Sequence, residues 1–232
     1  MKISKKYELG YKKYGEGYQR KYPNEELCRF IGRRFSGYNK LQKKKIKVLE
    51  VGCGPGGNLW MLAYEKFDVY GLDISTTSIK LAKKNLFEKK LKAKLFVSDM
   101  INLNFKNSFF DVIIDVFSSC HLNQKDGTLF ISQVSKKLKK NGIFFSYFPS
   151  KKSKFFTSNF KKKFSDENTI SKIFNKNQVY GNDVLPMRFM SKNEYKSLLK
   201  KNSLKVIYNE YIHKTYKQGK DIFIFNIIEA IK

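Results

Sequence analysis

The stretch Val48-Leu49-Glu50-Val51-Gly52-Cys53-Gly54-Pro55-Gly56-Gly57-Asn58 decides the fold. Together with Ile46 and Lys47 before it, its first part is a short, β-branched and mostly apolar run, the pattern of a strand buried on both faces. The glycines at 52, 54, 56 and 57 let the backbone turn sharply and approach a ligand closely, because no Cβ stands in the way. Leu59-Trp60-Met61-Leu62-Ala63 then supplies helix formers. A strand–turn–helix junction of this kind offers unpaired backbone N–H groups to a ligand.

Outward from this junction, strands and helices alternate. Phe67 to Asp73 reads as a second strand ending in an acid, and Ser75 caps a lysine-rich helix with Ile79, Ala82 and Leu86 inward. Lys94-Leu95-Phe96-Val97 is a third strand, followed by Ser98-Asp99-Met100. Phe110 to Phe117 is a fourth, running into Ser118-Ser119-Cys120-His121. The spacing predicts a helix over 126–140 with Leu129, Phe130, Val134 and Leu138 inward, stopped by Asn141-Gly142, and then a fifth strand over 143–148. Such alternation implies an α/β fold with a parallel sheet and right-handed crossovers. The rhythm breaks at Pro149, and residues 150–190 show no clean period. Ser191 opens another helix with Tyr195, Leu198 and Leu199 inward; Leu204–Ile212 and Asp221–Ile231 are two strands joined at 217–220, an antiparallel pair at the end of the sheet.

Before the first strand, Tyr7, Tyr11, Tyr14 and Tyr18 are interleaved with Gly10, Gly15 and Gly17. Pro23-Asn24-Glu25-Glu26 reads as a helix start, with Leu27, Phe30, Ile31 and Phe35 on its buried face. The tyrosines pack, or the segment folds over the ligand mouth and one or two of them line it; Tyr14 and Tyr18, beside the glycines, are the better candidates. A single domain over 1–232 is expected: a helical cover (1–44), a cofactor-binding core (45–148), a substrate-side insertion (149–190), and a helix with the antiparallel pair (191–232).

Composition bounds the partners. The chain has 232 residues, a hydrophobic fraction of 41% and 21 Phe with 14 Tyr, which is enough to build a core. Cys28, Cys53 and Cys120 are far apart and form no C-x-x-C pair, which points to a reducing, cytoplasmic setting with neither a disulfide framework nor a zinc site. The start lacks the apolar core of a secretory signal, and no apolar run is long enough for a bilayer. The net charge of +27 invites a nucleic-acid reading, but only five of the 47 basic residues are arginine. Lysine spread with Asn, Ile, Phe and Tyr fits A/T-rich codon bias, whereas phosphate and base readers lean on arginine forks.

The chemistry sits at strand ends, where ligands of open α/β sheets bind. Asp73 is placed to accept hydrogen bonds from two ribose hydroxyls, and Asp99 to take the exocyclic amine of an adenine beside Met100. Asp99 could equally cap a following helix. Gly52-x-Gly54-x-x-Gly57 with Asp73 downstream also satisfies the dinucleotide fingerprint, so an NAD(P)-dependent oxidoreductase is an alternative.

Glu50-Val51-Gly52-Cys53-Gly54-Pro55-Gly56 resembles the first motif of class I S-adenosylmethionine-dependent methyltransferases, the E/D-x-G-x-G-x-G turn. Gly71-Leu72-Asp73-Ile74-Ser75, Ser98-Asp99-Met100, Phe109-Phe110-Asp111-Val112-Ile113 and Lys139-Lys140-Asn141-Gly142-Ile143 resemble further motifs of that family, over about 45–148. The resemblance implies a Rossmann-like seven-stranded sheet in the order 3-2-1-4-5-7-6, its last strand antiparallel, with helices on both faces. It implies S-adenosyl-L-methionine as cofactor and S-adenosyl-L-homocysteine as product. Gly52, Gly54 and Asn58 would line the methionine moiety, Asp73 the ribose, and Asp99 with Met100 the adenine; Phe117 and Ser118 would flank the sulfonium, and Glu50, Cys53, Ile74, Tyr14 and Tyr18 complete the expected cofactor-binding set. A single glycine at 142, where two are usual, is a minor departure.

His121, one of two histidines, follows the fourth strand beside the expected methyl position. It is a candidate general base, or a packing residue; His213 is expected to be structural. No N-P-P-Y, D-P-P-Y or Pro-Cys signature marks a nucleic-acid base as acceptor. The layout, and a loose likeness of Tyr22-Pro23-Asn24-Glu25 to bacterial members acting on sugars, points to a small-molecule acceptor, a sugar or a phosphorylated, anionic metabolite, methylated at oxygen. RNA methylation or nucleic-acid binding through the basic surface is the alternative. The base-and-aromatic stretch Lys151–Phe164 is a solvated surface, a lid over an anionic acceptor, or a nucleic-acid contact.

Overall fold

The computed structural model describes residues 3–157, 163–172 and 186–232. Helix α1 (Ile3–Tyr14) is followed by a 3-10 turn (Gly15–Tyr18), α2 (Glu25–Phe35) and the short α3 (Lys40–Lys43). Then come β1 (Lys47–Val51), α4 (Leu59–Tyr64), β2 (Asp68–Asp73), α5 (Thr76–Glu88), β3 (Lys94–Val97), β4 (Phe110–Val116), a 3-10 turn (Ser119–His121), α6 (Gln124–Lys137) and β5 (Leu138–Pro149). The rest comprises α7 (Lys154–Thr157), β6 (Lys163–Asp166), β7 (Thr169–Lys172), β8 (Met187–Arg188), α8 (Lys192–Lys201), β9 (Lys205–Tyr216) and β10 (Asp221–Ile231).

Seven strands form one sheet in the order β3-β2-β1-β4-β5-β10-β9. This is the expected 3-2-1-4-5-7-6 order with three added strands between. β10 runs antiparallel to both neighbours, while β1 to β5 are parallel. The central run Val48, Leu49, Glu50, Val51 is buried on both faces, as its near-continuous apolar pattern requires. One cluster packs α2, α4 and α5 on one face through Leu27, Phe30, Leu62, Ile79 and Phe145; the other packs α6 and α8 through Phe130, Val134, Tyr195 and Leu199.

Capping sets the helix starts. The Asn24 side chain accepts from the N–H groups of Glu26 and Leu27, the Ser75 hydroxyl from Ser78, and Ser191 forms a capping box with Glu194. The helix expected over 126–140 starts two residues earlier and stops at Lys137. Leu138 is buried, but as the first residue of β5, opposite Phe110. Leu129, expected inward, is 47% exposed, because only the Phe130–Val134 side of the helix meets the sheet. Lys205–Tyr216 outruns the expected strand by four residues, paired with β10 along its length except at a bulge at Ile207. Residues 163–172 and 187–188, where no period was legible, form a three-stranded antiparallel sheet, β6-β7-β8. Part of the Lys151–Phe164 stretch, residues 158–162, lies outside the described residues.

Candidate active site

The carboxyl ends of β1 to β4 open onto one cavity of about 920 Å³, lined on its outer side by residues of α1 and of 17–24. The turn after β1 forms its floor. Gly52 takes φ 63°, and a Cβ there would overlap the Ser118 hydroxyl across the turn. Gly57 lies directly under the Arg20 carbonyl, which leaves no room for a side chain. The glycines are thus spent on a left-handed turn and on a close approach of two chain segments.

Asp73 ends β2 and closes this turn: its carboxylate accepts from Gly54 N at 2.9 Å and Ser75 N at 2.9 Å. Burial pushes its pKa up against those bonds. Glu50 accepts from Asn58 Nδ2 at 2.5 Å, and Asn58 Oδ1 accepts from Asn24 N at 2.8 Å. This relay ties the start of α2 to β1. Burial, helped by Asp73 and Asp115, pushes the Glu50 carboxyl up to about 8 although the Asn58 bond lowers it. Asp99 Oδ1 accepts from Ile101 N at 3.1 Å, so the acid shapes its own loop, and Asp99, Met100 and Ile101 all border the cavity.

His121 stands on the turn after β4. Asp115, fully buried, holds that turn by accepting from Ser118 N at 3.2 Å and Ser119 N at 2.9 Å. His121 Nδ1 is 2.8 Å from the Pro186 carbonyl. A carbonyl only accepts, so Nδ1 carries the hydrogen and Nε2 keeps its lone pair. Burial pushes the imidazole pKa below its usual value, against the pull of the Pro186 bond, so the ring is neutral at pH 7. Tyr7 and Phe117 meet it edge-on at 5.7 and 6.0 Å between centroids.

Every residue singled out in the sequence, Glu50, Gly52, Cys53, Gly54, Asn58, Asp73, Ile74, Asp99, Met100, Phe117, Ser118, Tyr14, Tyr18 and His121, borders this one cavity. The tyrosines differ in depth from the expectation. Tyr14 is 56% exposed at the rim, whereas Tyr11 is buried with its hydroxyl over Gly54. Tyr7, Tyr11 and Tyr14 share one face of α1, at spacings of four and three, and Tyr18 packs edge-on against Tyr11 at 5.1 Å. That periodicity was readable. Asn24, Arg20 and Met187 also border the cavity and were not singled out. Their approach depends on how the cover and the insertion fold back. Arg20 is the only cationic side chain among the described residues lining the cavity, against Glu50, Asp73, Asp99 and Asp126. His213 is exposed on β9, opposite Ile224.

The nucleoside sulfonium that the motifs imply finds complementary groups at this site. Glu50 and Asn24 border the cavity, and their buried Oε2 and Nδ2 atoms find no partner among the described residues. One accepts and the other donates, which suits the ammonium and carboxylate of an amino-acid moiety. The acidic lining suits a cation, so the residues fit.

Residues 42–203 match a family model described as a methyltransferase domain. The ubiquinone biosynthesis O-methyltransferase of Pelagibacter ubique (strain HTCC1062) is 38% identical over 102 residues, 44% of this chain and 41% of that protein. Phosphoethanolamine N-methyltransferase 1 of Arabidopsis thaliana is 35% identical over 81 residues, 34% of this chain and 16% of that protein. The chain thus spans less than half the length of the curated relatives it matches. Among solved structures, an S-adenosylmethionine-dependent methyltransferase of Methanosarcina mazei superposes with a TM-score of 0.69 at 20% identity, covering 80% of this chain and 92% of that one.

Proposed function

The chain belongs to the methyltransferase-domain family, as a class I S-adenosylmethionine-dependent member, and from that premise we propose that it methylates an oxygen atom of a small, anionic acceptor such as a phosphorylated metabolite or sugar. The observation that carries this reading is the convergence of the glycine turn, three strand-end acids and a neutral histidine on one cavity.

In this reading Glu50 and Asn24 hold the amino-acid end of the cofactor, Asp73 the ribose hydroxyls, and Asp99 with Met100 the adenine. Bound there, S-adenosylmethionine supplies a methyl carbon made electrophilic by its sulfonium. His121 Nε2 takes the proton of the acceptor hydroxyl, and the Pro186 carbonyl steadies the imidazolium that results. Phe117 and the tyrosines of α1 exclude water and align the acceptor. Arg20 pairs with the acceptor's negative group.

Calorimetric titration with S-adenosylmethionine, followed by a metabolite-pool methylation screen read by mass spectrometry, tests the reading. Asp73→Ala is expected to weaken cofactor binding roughly ten- to hundredfold, the worth of charge-assisted hydrogen bonds. Unchanged affinity would remove Asp73 from the ribose. His121→Ala is expected to lower turnover about 10²–10⁴-fold at near-constant cofactor affinity. Wild-type turnover in that variant would end its role as base.

A further inference from the structure

We infer that Arg188 is a positioning residue for His121: from a seat against Gly127 it fixes the β6–β8 sheet so that the Pro186 carbonyl selects the imidazole tautomer with Nε2 free. The inference rests on the reading of His121 as the base, and it is carried by an independent geometry.

Arg188 is 2% exposed, and its Nε finds no partner among the described residues. Burying a guanidinium is unfavourable, and an apolar residue of similar size would fill the volume at less cost. Its surroundings are specific. The guanidinium carbon lies 5.1 Å from the Phe148 ring centroid, and Asp115, Asp166, Tyr195 and Cys120 surround it electrostatically. On its remaining side lies Gly127, inside α6. A Cβ built there would overlap the guanidinium, which is enclosed and has nowhere to swing. A glycine inside a helix is itself unfavourable. Two unfavourable choices made at one contact define a seat.

The seat lies between two grips on His121. Asp115 fixes the backbone turn through Ser118 and Ser119, while Pro186, two residues from Arg188, fixes the ring. Thr169 pairs with Arg188 across β7 and β8. The same small sheet is moored again at the start of α6, where Asp166 accepts from Gln124 N at 3.0 Å. Among the described residues, the groups facing the His121 ring are Tyr7 from α1, Phe117 after β4 and Pro186 from the insertion, with Asp126 also at the cavity wall.

Long-range proton–nitrogen spectra of the full chain labelled with ¹⁵N-histidine read the tautomer without any acceptor, and His213→Asn assigns the two histidines. The wild type is expected to show roughly a tenfold excess of the Nδ1–H form at His121, equivalent to about 1.4 kcal/mol. In Arg188→Met the excess is lost, and the ring titrates closer to an ordinary histidine. Gly127→Ala should do the same; Arg188→Lys, which keeps a cation on a long stem in the seat without the planar fork, decides the matter if neither of these folds, and an undiminished excess in it overturns the proposal. A wild-type tautomer retained in folded Gly127→Ala, or no Nδ1–H excess in the wild type, overturns the proposal. So does a loss of turnover by Arg188→Met that is as large in a His121→Ala background as in the wild type. Undiminished turnover in His121→Ala alone strikes the base reading and leaves the tautomer result standing.

Discussion

Glu50 shows how far a setting can move a side chain. Its carboxyl, raised from 4.5 to about 8 chiefly by burial, holds a proton at neutral pH. A cationic group set against Oε2 favours the ionised form, so binding expels that proton. Cofactor affinity is expected to rise with pH and level off above about 8, with proton release at pH 7 visible by calorimetry in buffers of different ionisation enthalpy. A pH-flat affinity without proton release would refute the assignment, and Glu50→Gln should abolish the slope. The folding side has the opposite sign. A folded pKa raised above the unfolded one stabilises fully below 4.5, and that contribution is lost as pH climbs through about 8. Unfolding midpoints of the unliganded protein are therefore expected to fall across that window, and less so in Glu50→Gln. At this scale Asp73, Asp99 and the glycines were legible, because a strand end can be counted from an apolar run. Asn24 was legible only as a helix cap; its place at the cavity needs the Asn58 bond, which no local pattern announces.

Between elements, single acids fasten pieces together. Glu8 of α1 accepts from Ser75 Oγ at 2.7 Å, Thr77 Oγ1 at 2.6 Å and Thr77 N at 3.1 Å at the start of α5. Burial would raise its pKa, but these bonds outweigh it and hold the carboxyl at about 2. The latch is thus complete above the ordinary value of 4.5 and is lost as pH falls through about 2. Glu8→Gln is expected to loosen α1 at neutral pH, speeding tryptic cleavage after Lys12 and Lys13 and weakening cofactor affinity severalfold. Equal cleavage rates in both proteins would mean that α1 is held by its tyrosines alone. Across the sheet, buried Glu229 of β10 takes Arg33 at 2.7 Å and Arg34 at 2.6 Å from α2. Breaking a buried pair costs about 3–5 kcal/mol, and the arginines are a third exposed, so Glu229→Ala is expected to cost about 2 kcal/mol in urea unfolding. Helix α2 was legible from its cap and its 3.6-residue pattern. The strands β6 to β8 were not: β8 is two residues long, too short for an alternation to register.

The molecule as a whole separates its charges. In a chain of net charge +27, the described residues lining the cavity include no lysine and four acids. Its basic exterior is expected to bind RNA weakly, with affinity falling steeply as salt rises and no effect on cofactor affinity, both measurable by fluorescence anisotropy. Salt-resistant binding that competes with the acceptor would favour a nucleic-acid substrate instead. Alternation made the parallel sheet and its antiparallel end pair legible, whereas the strand order came through the resemblance of the strand-end motifs to a known family. The acceptor was not, because residues 3–24 and Met187 reach the cavity from segments far apart in sequence, a meeting that no local pattern announces.

The way the cover is strapped down has a kinetic meaning. Residues 3–24 are clasped to α5 by Glu8, laid on the glycine turn by the Arg20 carbonyl, and touched by Trp60 Nε1 through Lys21 O at 3.4 Å. Ligand loading is therefore expected to be gated by the lifting of that strap. The observed association rate is expected to climb with cofactor concentration and then saturate at the opening rate of the strap. Stopped-flow traces that stay linear in concentration would show an open door. Severing the Glu8 clasp should raise the plateau, trading residence time for speed of exchange.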